Sequence, residues 1–473
     1  MNTRLSFLLL TALFLATSCG SDDDTGTIVT DDGDAMIPLE ITTLEDMVQV
    51  STLQTINISI FDNDTNIPKE GTLSTTTPSN GEISINDNGT LDDVRDDFIT
   101  YDPNLNYIGD DTMQYTICQN DGSGCKTGTI TITVFQDTTV TLDLANFPYN
   151  TLSEYNFFNG ELKAIQPAYG VLPYKPISGL FTDYAIKERF VWVPVGEKAT
   201  YNTDNTSLDF PVGSALIKMF YYDNVLPNNT TRIIETRLMV KTASGWDFAE
   251  YVWNDEQTEA FLETTEDGGF TEVEWIQDGE IKFVNYRIPA KQQCNICHTN
   301  DVNTIPIGIK PQNINSDLMY DDGLQNQLQK LIAFGYLEDN LPGNILTVVD
   351  WKDTSQSLEQ RAKSYLDINC ANCHIDGGQG DYRAIRLGYT ETLNNDEIAG
   401  LCVDGDTSIP LGAGQFITKL IAPEDPNNSI VYYRMSVTGD DPYKMPQFGQ
   451  SLAHTEAIQL MEDWINSINQ TCD

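Results

Sequence analysis

The sequence predicts a multidomain chain with an N-terminal all-β sandwich, a central β-rich domain and a C-terminal domain that is mostly α-helical. At 473 residues the chain has room for about three domains with separate cores. Apolar and polar residues alternate, as in half-buried strands, up to about residue 136 and again from about 189 to 253. Helical spacing of apolar residues appears after these segments, at residues 324–336, at 358–366 and last at Ala457, Met461, Trp464 and Ile468.

The first 18 residues have the form of a signal peptide. Arg4 precedes an apolar run, Leu5 to Ala16, that is too short to span a bilayer. Ala16-Thr17-Ser18-Cys19 resembles the lipobox of bacterial lipoproteins, which implies cleavage after residue 18 and a lipid on Cys19. We therefore expect a lipoprotein of the cell envelope, anchored to the outer membrane by this lipid alone. The acidic residues that follow resemble an export signal and raise the alternative of surface exposure.

Residues 19–40 are rich in Thr, Asp and Gly and predict a flexible tether. A β module follows at 41–136, where alternating segments are separated by Asn/Asp/Gly turns. These segments are residues 55–60, 82–85 and 129–134. The phrases at 96–104 and 109–116 resemble a bacterial cadherin-like or immunoglobulin (Ig)-like repeat, which implies spacing or adhesion.

Acidic turns in this module leave two interpretations open. Asp62-Asn63-Asp64 and Asp92-Asp93 offer the oxygen ligands that Ca²⁺ prefers. Solvated turn carboxylates are the plainer interpretation.

The central region, residues 144–290, is predicted to be a β-rich domain. Its strand-like segments are residues 189–194, 214–222, 236–241 and 249–253. Its tryptophans are Trp192, Trp246, Trp253 and Trp275. Tryptophans in alternating strands are more often core residues than a sugar-binding surface. The region contains no Cys and no His, so it lacks the usual ligands for a metal centre of its own.

Two pentapeptides contain the residues that are expected to bind a cofactor: Cys294-Asn295-Ile296-Cys297-His298 and Cys370-Ala371-Asn372-Cys373-His374. C-x-x-C-H is the attachment pattern of c-type haem, in which both thiols bond to the porphyrin and the histidine binds the iron. A redox dithiol does not need the histidine, and the two motifs lie too far apart for a zinc ribbon. The sequence predicts two covalently bound haem c groups, with His298 and His374 as proximal iron ligands.

The first haem-binding segment is predicted at residues 291–350 and a cytochrome c-like domain with the second haem at 351–473. In the latter, a helix leads into Cys370 and another ends the chain, which is the order of a cytochrome c domain. Met445-Pro446, in the loop before the last helix, resembles the loop that supplies the distal iron ligand, so Met445 is assigned to the second haem.

Other sulfur and nitrogen donors in the chain are candidate ligands of the iron atoms. Met435 and Met461 are alternatives to Met445, although each fits buried packing better. The first haem has no clear distal ligand. Its candidates are Met219, Met239, Met319 and His454, the last of which is more simply an exposed residue at a helix start.

The remaining cysteines are expected to form disulfides in an oxidising compartment. Sequence position favours Cys118 with Cys125 and Cys402 with Cys472. The chain has 26 Lys+Arg and 70 Asp+Glu, a formal net charge of -44. Such a charge repels nucleic acid and favours a basic redox partner. The sequence does not give the oligomeric state.

From about residue 152 to the C-terminus the chain resembles an uncharacterised family of envelope diheme c-type cytochromes. Besides the haem motifs, the matching phrases are residues 181–185, 210–213, 235–238 and 251–254. The resemblance implies two haems and no established reaction. The leading hypothesis is a lipid-anchored electron carrier. The alternatives are an enzyme resembling diheme peroxidases, with an open first haem, and a surface lipoprotein for adhesion or glycan binding.

Overall fold

Strands dominate the structure, a computed structural model that describes residues 27–28, 37–38, 40–52, 54–104, 107–135 and 139–472. Strands account for 35% of the described residues and helices for 16%. The chain divides into two units, residues 1–137 and residues 138–473.

The first unit is a sandwich of two sheets, with strand orders β3-β9-β8-β5 and β4-β7-β6. Its strands are β1 (Thr27–Ile28), β2 (Ile37–Pro38), β3 (Asp46–Ser51), β4 (Ile56–Ile58), β5 (Thr72–Thr75), β6 (Gly81–Asn86), β7 (Phe98–Pro103), β8 (Gly109–Cys118) and β9 (Lys126–Phe135). Ile58, Ile99, Tyr115 and Ile132, from both sheets, meet in one core. The alternation of apolar residues in the sequence therefore predicted this sandwich correctly.

An eight-stranded antiparallel sheet is the centre of the second unit. Six of its strands follow in the order β12-β13-β14-β15-β16-β17, while β18 pairs with β14 and β19. Its strands are β12 (Leu172–Pro173), β13 (Ile186–Trp192), β14 (Ala215–Val225), β15 (Thr230–Thr242), β16 (Gly245–Trp253), β17 (Ala260–Leu262), β18 (Gly269–Gln277) and β19 (Glu280–Ile288). The short pairs around it are β10 (Phe158–Asn159) with β11 (Gln166–Pro167), β20 (Thr299–Asn300) with β21 (Asn303–Thr304), β22 (Asp317–Tyr320) with β23 (Gly323–Asn326), and β24 (Asp404–Gly412) with β25 (Gln415–Lys419).

The two faces of this sheet have different cores, because neighbouring residues of a strand point to opposite sides. Ile217 and Leu238 pack with Tyr155 and Phe157 on one face. Leu216, Met239 and Phe248 pack with Cys294 and the helices after it on the other. The four tryptophans of the central region are buried, at 4–8% exposure, as the core interpretation predicts.

The helices are short and all lie in the second unit of the described chain. They are α1 (Lys291–His298), α2 (Pro311–Ile314), α3 (Gln327–Ala333), α4 (Leu358–Asn369), α5 (Tyr389–Thr392), α6 (Ile430–Ser436) and α7 (Thr455–Ser467). Apolar residues of α4 and α7, among them Tyr365, Leu366, Met461 and Trp464, share a core with the β24–β25 hairpin.

The prediction of a mostly α, cytochrome c-like haem domain at the C-terminus is wrong. After residue 350, α5 has 4 residues and α6 has 7, and a β-hairpin lies between them. Gly377, Gly378 and Gly380 follow the second haem motif closely, and glycines at this density do not continue a helix. The segment also belongs to the same compact unit as the central sheet. The helical spacing of apolar residues that predicts α4 and α7 does not continue through the residues between them.

Candidate haem-binding site

The first haem motif lies on helix α1, directly after strand β19. The Gln293 side chain accepts a hydrogen bond from the backbone N–H of Ala290 at 3.0 Å, which fixes the start of the helix. Cys294 packs against the core of the sheet. At the end of α1 the ring of His298 meets the edge of Phe248 on β16, with ring centroids 5.2 Å apart. The sheet therefore supports the motif from one side.

The imidazole of His298 is held in the form that binds a metal. Its Nδ1 lies 2.8 Å from the carbonyl oxygen of Ile305, so this nitrogen carries the proton and Nε2 keeps its lone pair. Burial lowers the pKa of His298 to about 3, which keeps the ring neutral. Metal binding through histidine needs this neutral ring.

The second haem motif follows α4, whose N-terminus is capped by the Ser357 side chain. The Asn372 side chain donates to the Ile368 carbonyl at 2.9 Å and keeps the motif against the helix. Nδ1 of His374 is buried without a hydrogen-bond partner, and burial lowers the pKa of this histidine to about 4. A Cβ on Gly380 would lie 2.9 Å from that nitrogen, so the backbone passes close to the ring. A neutral, unpaired imidazole is again suited to bind a metal.

The two motifs meet, which the sequence did not predict. Sγ of Cys373 lies 3.6 Å from the carbonyl oxygen of Ile296. A hydrogen bond from the Cys373 thiol lowers the pKa of Cys297, so one thiol of each motif contacts the other motif. The loops behind them are joined as well, because the Asp301 N–H donates to the Gly377 carbonyl at 2.7 Å.

A cavity of about 460 Å³ opens in front of both motifs. The four motif cysteines and both motif histidines line it, together with apolar residues of α4, α6 and the sheet. Cofactor pockets in proteins typically have about 300–1,000 Å³ and mostly apolar walls with a few polar groups. The cavity has this character.

Of the proposed distal ligands, four line the cavity: Met239, Met435, Met445 and His454. Met219 is fully buried in the core on the opposite face of the sheet, and Met461 is fully buried between helices. The side chain of Met319 is 67% exposed on the β22–β23 hairpin. Met445 lies beside α6, because its backbone N–H donates to the Arg434 carbonyl at 2.9 Å. Met445 and Met435 are therefore neighbours on one wall.

His454 is buried, at 8% exposure, so the expectation of an exposed residue is wrong. The Tyr365 hydroxyl lies 3.0 Å from its Nδ1. Phe181 stacks on its ring with centroids 4.0 Å apart. Burial lowers the pKa of His454 to about 4. Its aromatic neighbours come from the segment before β13, from Trp351 and from α4, which no local sequence pattern brings together.

The charge of the cavity wall is opposite to that of the chain. Five basic side chains line the cavity and only one acidic side chain, Asp406, does so among the described residues. The basic ones are Lys218, Arg237, Arg287, Arg383 and Arg434. Over the whole sequence acidic residues outnumber basic ones by 70 to 26. The wall therefore suits an anionic ligand, and haem, with two carboxylates, is one.

Other metal sites find no support within the described ranges. Among those residues no group of three or more His, Cys, Asp or Glu side chains could hold a metal ion. In the predicted calcium turns, Asp64 accepts hydrogen bonds from the Leu44 N–H and the Tyr115 hydroxyl, and Asp93 pairs with Arg95 at 2.8 Å. Calcium binding there stays an untested prediction.

Two disulfides form, between Cys118 and Cys125 and between Cys402 and Cys472, in agreement with the predicted pairing. The predicted signal peptide, residues 1–18, and the lipidation site, Cys19, lie outside the described residues. Across the part of the chain that the structure describes, no helix has the length and apolarity needed to cross a membrane.

Comparisons with known proteins support the Ig-like part of the sequence analysis. Residues 20–133 match the family described as a bacterial Ig domain, so the N-terminal unit contains an Ig-like domain. No curated protein matches the chain. A similar solved structure is a SusE-like surface-located polysaccharide-binding protein from the heparin utilisation locus of Bacteroides thetaiotaomicron, with 15% identity and a TM-score of 0.15. The match covers 45% of this chain and 35% of that protein.

Proposed function

We propose that this protein is a diheme c-type cytochrome that carries electrons in the bacterial cell envelope. The observation that carries the proposal is that both C-x-x-C-H motifs line one cavity and touch each other through Cys373 and Ile296. Two redox groups attached at touching motifs are close enough to exchange electrons with each other. The resemblance of residues 152–473 to envelope diheme cytochromes also implies two haems per chain.

The residues present fit two haem groups. Cys294 and Cys297 would hold one and Cys370 and Cys373 the other, with His298 and His374 as proximal ligands and Met445 as distal ligand of the second. A haem attached in this way supplies a one-electron centre whose potential depends on its axial ligands and surroundings.

The chain itself orients the ligands and excludes water from them. Ile305 fixes the tautomer of His298. The stacked pair of Phe181 and His454, together with Tyr365 and Leu366 of α4, forms an apolar wall of the cavity. Removal of water from a redox centre lowers the reorganisation that accompanies a change of charge.

Other parts of the chain support a location in the cell envelope and indicate the charge of the redox partner. A lipid on Cys19 would place the protein at the outer membrane, and the tether and the Ig-like domain would act as a spacer. A net charge of -44 favours a basic donor or acceptor, and binding through charge should weaken as salt is added.

The test is a haem count on the chain without residues 1–19, made in a host that matures c-type cytochromes. The pyridine haemochrome assay should give two haems per chain. Cys294→Ala with Cys297→Ala should give one, and Cys370→Ala with Cys373→Ala should also give one. A count of zero for the unmutated chain, or redox silence of both haems over the physiological range, would exclude the proposal.

Low-temperature EPR of the oxidised protein separates a carrier from a peroxidase-like enzyme. Two low-spin haems are expected for an electron carrier. One high-spin signal would mean an iron without a sixth protein ligand and would favour peroxide turnover. The peroxidase-like alternative also requires that the mixed-valence or the reduced protein turns over peroxide.

Adhesion or glycan binding is a second candidate function, favoured by the match of residues 20–133 to bacterial Ig domains. It is tested on a glycan array with the full chain and with a variant in which the four motif cysteines are alanine. Binding that is equal in both would assign adhesion to regions other than the haem sites. No binding in either would leave no support for it.

A further inference from the structure

The four motif cysteines fall into two pairs by their packing. Cys294 packs against the central sheet, in the core that contains Met239 and Phe248. Cys370 packs into a separate core, which contains the apolar residues of α4 and α7. The first cysteine of each motif is therefore held by a different hydrophobic core.

The second cysteines of the motifs, Cys297 and Cys373, meet each other. Sγ of Cys373 lies 3.6 Å from the carbonyl oxygen of Ile296, the residue before Cys297. The Cys373 thiol also donates a hydrogen bond to the sulfur of Cys297. All four motif cysteines are free and partly exposed. Two free thiols, one from each motif, therefore lie in direct contact.

The loops that follow the two motifs hold this contact in place. The Asp301 N–H donates to the Gly377 carbonyl at 2.7 Å, and the side-chain amide of Asn300 donates to the Asp376 carbonyl at 2.7 Å. Gly377 has a positive φ of 78°, and a Cβ at this position would lie 2.9 Å from the Asp301 side chain. One loop thus packs directly on the other, so the motifs cannot separate without loss of these hydrogen bonds.

The helix disfavours a disulfide inside the first motif. Cys294 and Cys297 both lie within α1. Residues three positions apart in a helix have Cβ atoms about 5–6 Å apart, whereas a disulfide needs about 3.5–4.5 Å. A bond between them would therefore distort the helix that positions His298. Cys373 is the thiol that Cys297 already contacts.

We propose that Cys297 and Cys373 form a disulfide that links the two motifs in the chain without haem. The oxidant is the disulfide of an envelope thiol oxidase or of a small thiol such as glutathione. One cysteine attacks this external disulfide, which gives a mixed disulfide and releases one thiol, and the other cysteine then displaces the second thiol. Two electrons and two protons pass to the oxidant, which becomes two thiols. The Cys402–Cys472 disulfide of the same unit needs the same oxidising conditions.

The disulfide itself does not depend on the proposed function, whereas its consequence does. A haem c group with two thioether bonds uses both thiols of its motif. Because the disulfide takes one thiol from each motif, a single oxidation would block both haem sites, and reduction of that one bond would open both. A haem attached at either site would prevent the disulfide from forming.

The disulfide is tested on the chain without residues 1–19, produced without cytochrome c maturation and equilibrated with oxidised glutathione. Free thiols are alkylated, and the monomer band of a non-reducing gel is digested with trypsin for mass spectrometry. The peptide of the first motif should be bonded to the peptide of the second, with two of the four motif cysteines alkylated. Separate peptides, each with an internal disulfide or with both cysteines alkylated, would overturn the proposal.

Two matched double variants identify the bonded sulfur atoms. Cys294→Ser with Cys370→Ser leaves only Cys297 and Cys373 in the motifs, and the bonded pair of peptides should still form. Cys297→Ser with Cys373→Ser leaves the two cysteines that pack into different cores, and the bonded pair should be absent. Equal formation of the pair in both variants would contradict the assignment. The digest of the unmutated chain decides the proposal even if a variant does not fold.

Haem attachment tests the consequence, in a host that matures c-type cytochromes. Oxidised glutathione in the growth medium should lower the haem content of the unmutated chain at least twofold, with equal loss from both motifs. Cys370→Ala with Cys373→Ala cannot form the disulfide and should keep the haem of the first motif under the same conditions. Equal loss in both chains would mean oxidation inside a motif and would exclude the consequence. If the unmutated chain has no haem even without the oxidant, the proposed function fails, and the peptide digest still decides whether the disulfide forms.

Discussion

The carboxylate of Asp183 accepts a hydrogen bond from the backbone N–H of Leu452 at 2.7 Å. A second one comes from the Ser451 N–H, also at 2.7 Å. Asp183 is 1% exposed and has a positive φ of 45°, a conformation that a non-glycine residue adopts at some cost. Its backbone carbonyl accepts from the Tyr222 hydroxyl. Asp183, in the loop between β12 and β13 of the central sheet, thus holds the chain between Met445 and α7.

Asp183→Asn should destabilise the second unit by about 1–3 kcal/mol, because the amide replaces a charged acceptor of buried N–H groups. The amides of Ser451 and Leu452 should exchange hydrogen faster than in the unmutated protein. Urea unfolding and hydrogen exchange by mass spectrometry measure both effects. Asp209→Asn, at a side chain that is 62% exposed, is the control and should stay within about 0.5 kcal/mol. Equal effects of the two substitutions would contradict the assigned role of Asp183.

The stability of the Ig-like domain should fall as pH rises from about 4 to 6. Burial, with a contribution from the charge of Asp64, raises the pKa of Asp46 from 3.8 to about 6. Between these values the folded domain binds a proton that the unfolded chain has released, so stability is lost as pH rises and stays lower above pH 6. Asp46→Asn should remove this loss and stabilise the domain more at pH 7 than at pH 4.

The pH effect can be measured as protection of the β3 and β9 amides, corrected for intrinsic exchange rates. Glu82→Gln, at an exposed residue of β6, is the control and should change protection equally at both pH values. The same result for Asp46→Asn as for this control would mean that Asp46 ionises normally.

The two disulfides should differ in their contribution to stability. Cys402 and Cys472 are 70 residues apart, whereas Cys118 and Cys125 are 7 apart. Loop-closure entropy predicts a loss of roughly 4 kcal/mol for Cys402→Ser with Cys472→Ser and roughly 2.5 kcal/mol for Cys118→Ser with Cys125→Ser. The first loss should appear in α7 and the second in the Ig-like domain, as measured by hydrogen exchange. A larger loss of stability on removal of the Cys118–Cys125 disulfide would show that local strain, and not loop-closure entropy, determines the contribution of each disulfide.

Met445→Ala should abolish the weak sulfur-to-iron charge-transfer band of the oxidised protein and lower the potential of the second haem. Thioether ligation raises the potential, so its loss has this direction. Met435→Ala is the matched control, because Met435 lines the same wall of the cavity. If the band survives Met445→Ala and disappears in Met435→Ala, Met435 and not Met445 is the distal ligand of the second haem.

Local patterns predicted the elements of this protein better than their assembly. The alternation at 129–134 predicted β9, and the apolar spacing predicted α4 and α7 to within a few residues. The helix expected from Leu324 onward begins only at Gln327, because Gly323 turns the chain and Leu324 pairs with Met319 in a hairpin. Leu324 is 61% exposed on this hairpin, so it does not lie on the apolar face of a helix.

The motif residues could be identified from their spacing alone, because C-x-x-C-H is a fixed local pattern. The basic wall of the cavity could not. Lys218 and Arg237 become neighbours through strand register, and Arg434 joins them from a distant helix. Register is decided by side-chain packing over the whole sheet, so a short window of sequence does not contain it.

The parallel pairing of β3 with β9 has a mechanical consequence. Asp46 lies opposite Ile130 and Ser51 opposite Phe135, so the first and last strands of the Ig-like sandwich run side by side in the same direction. Tension between the start of β3 and the end of β9 would pull these strands along their length in opposite directions. All the hydrogen bonds of that ladder would then carry the load together, in shear, instead of breaking one by one. A domain with this geometry can be stretched between its two ends and remain folded.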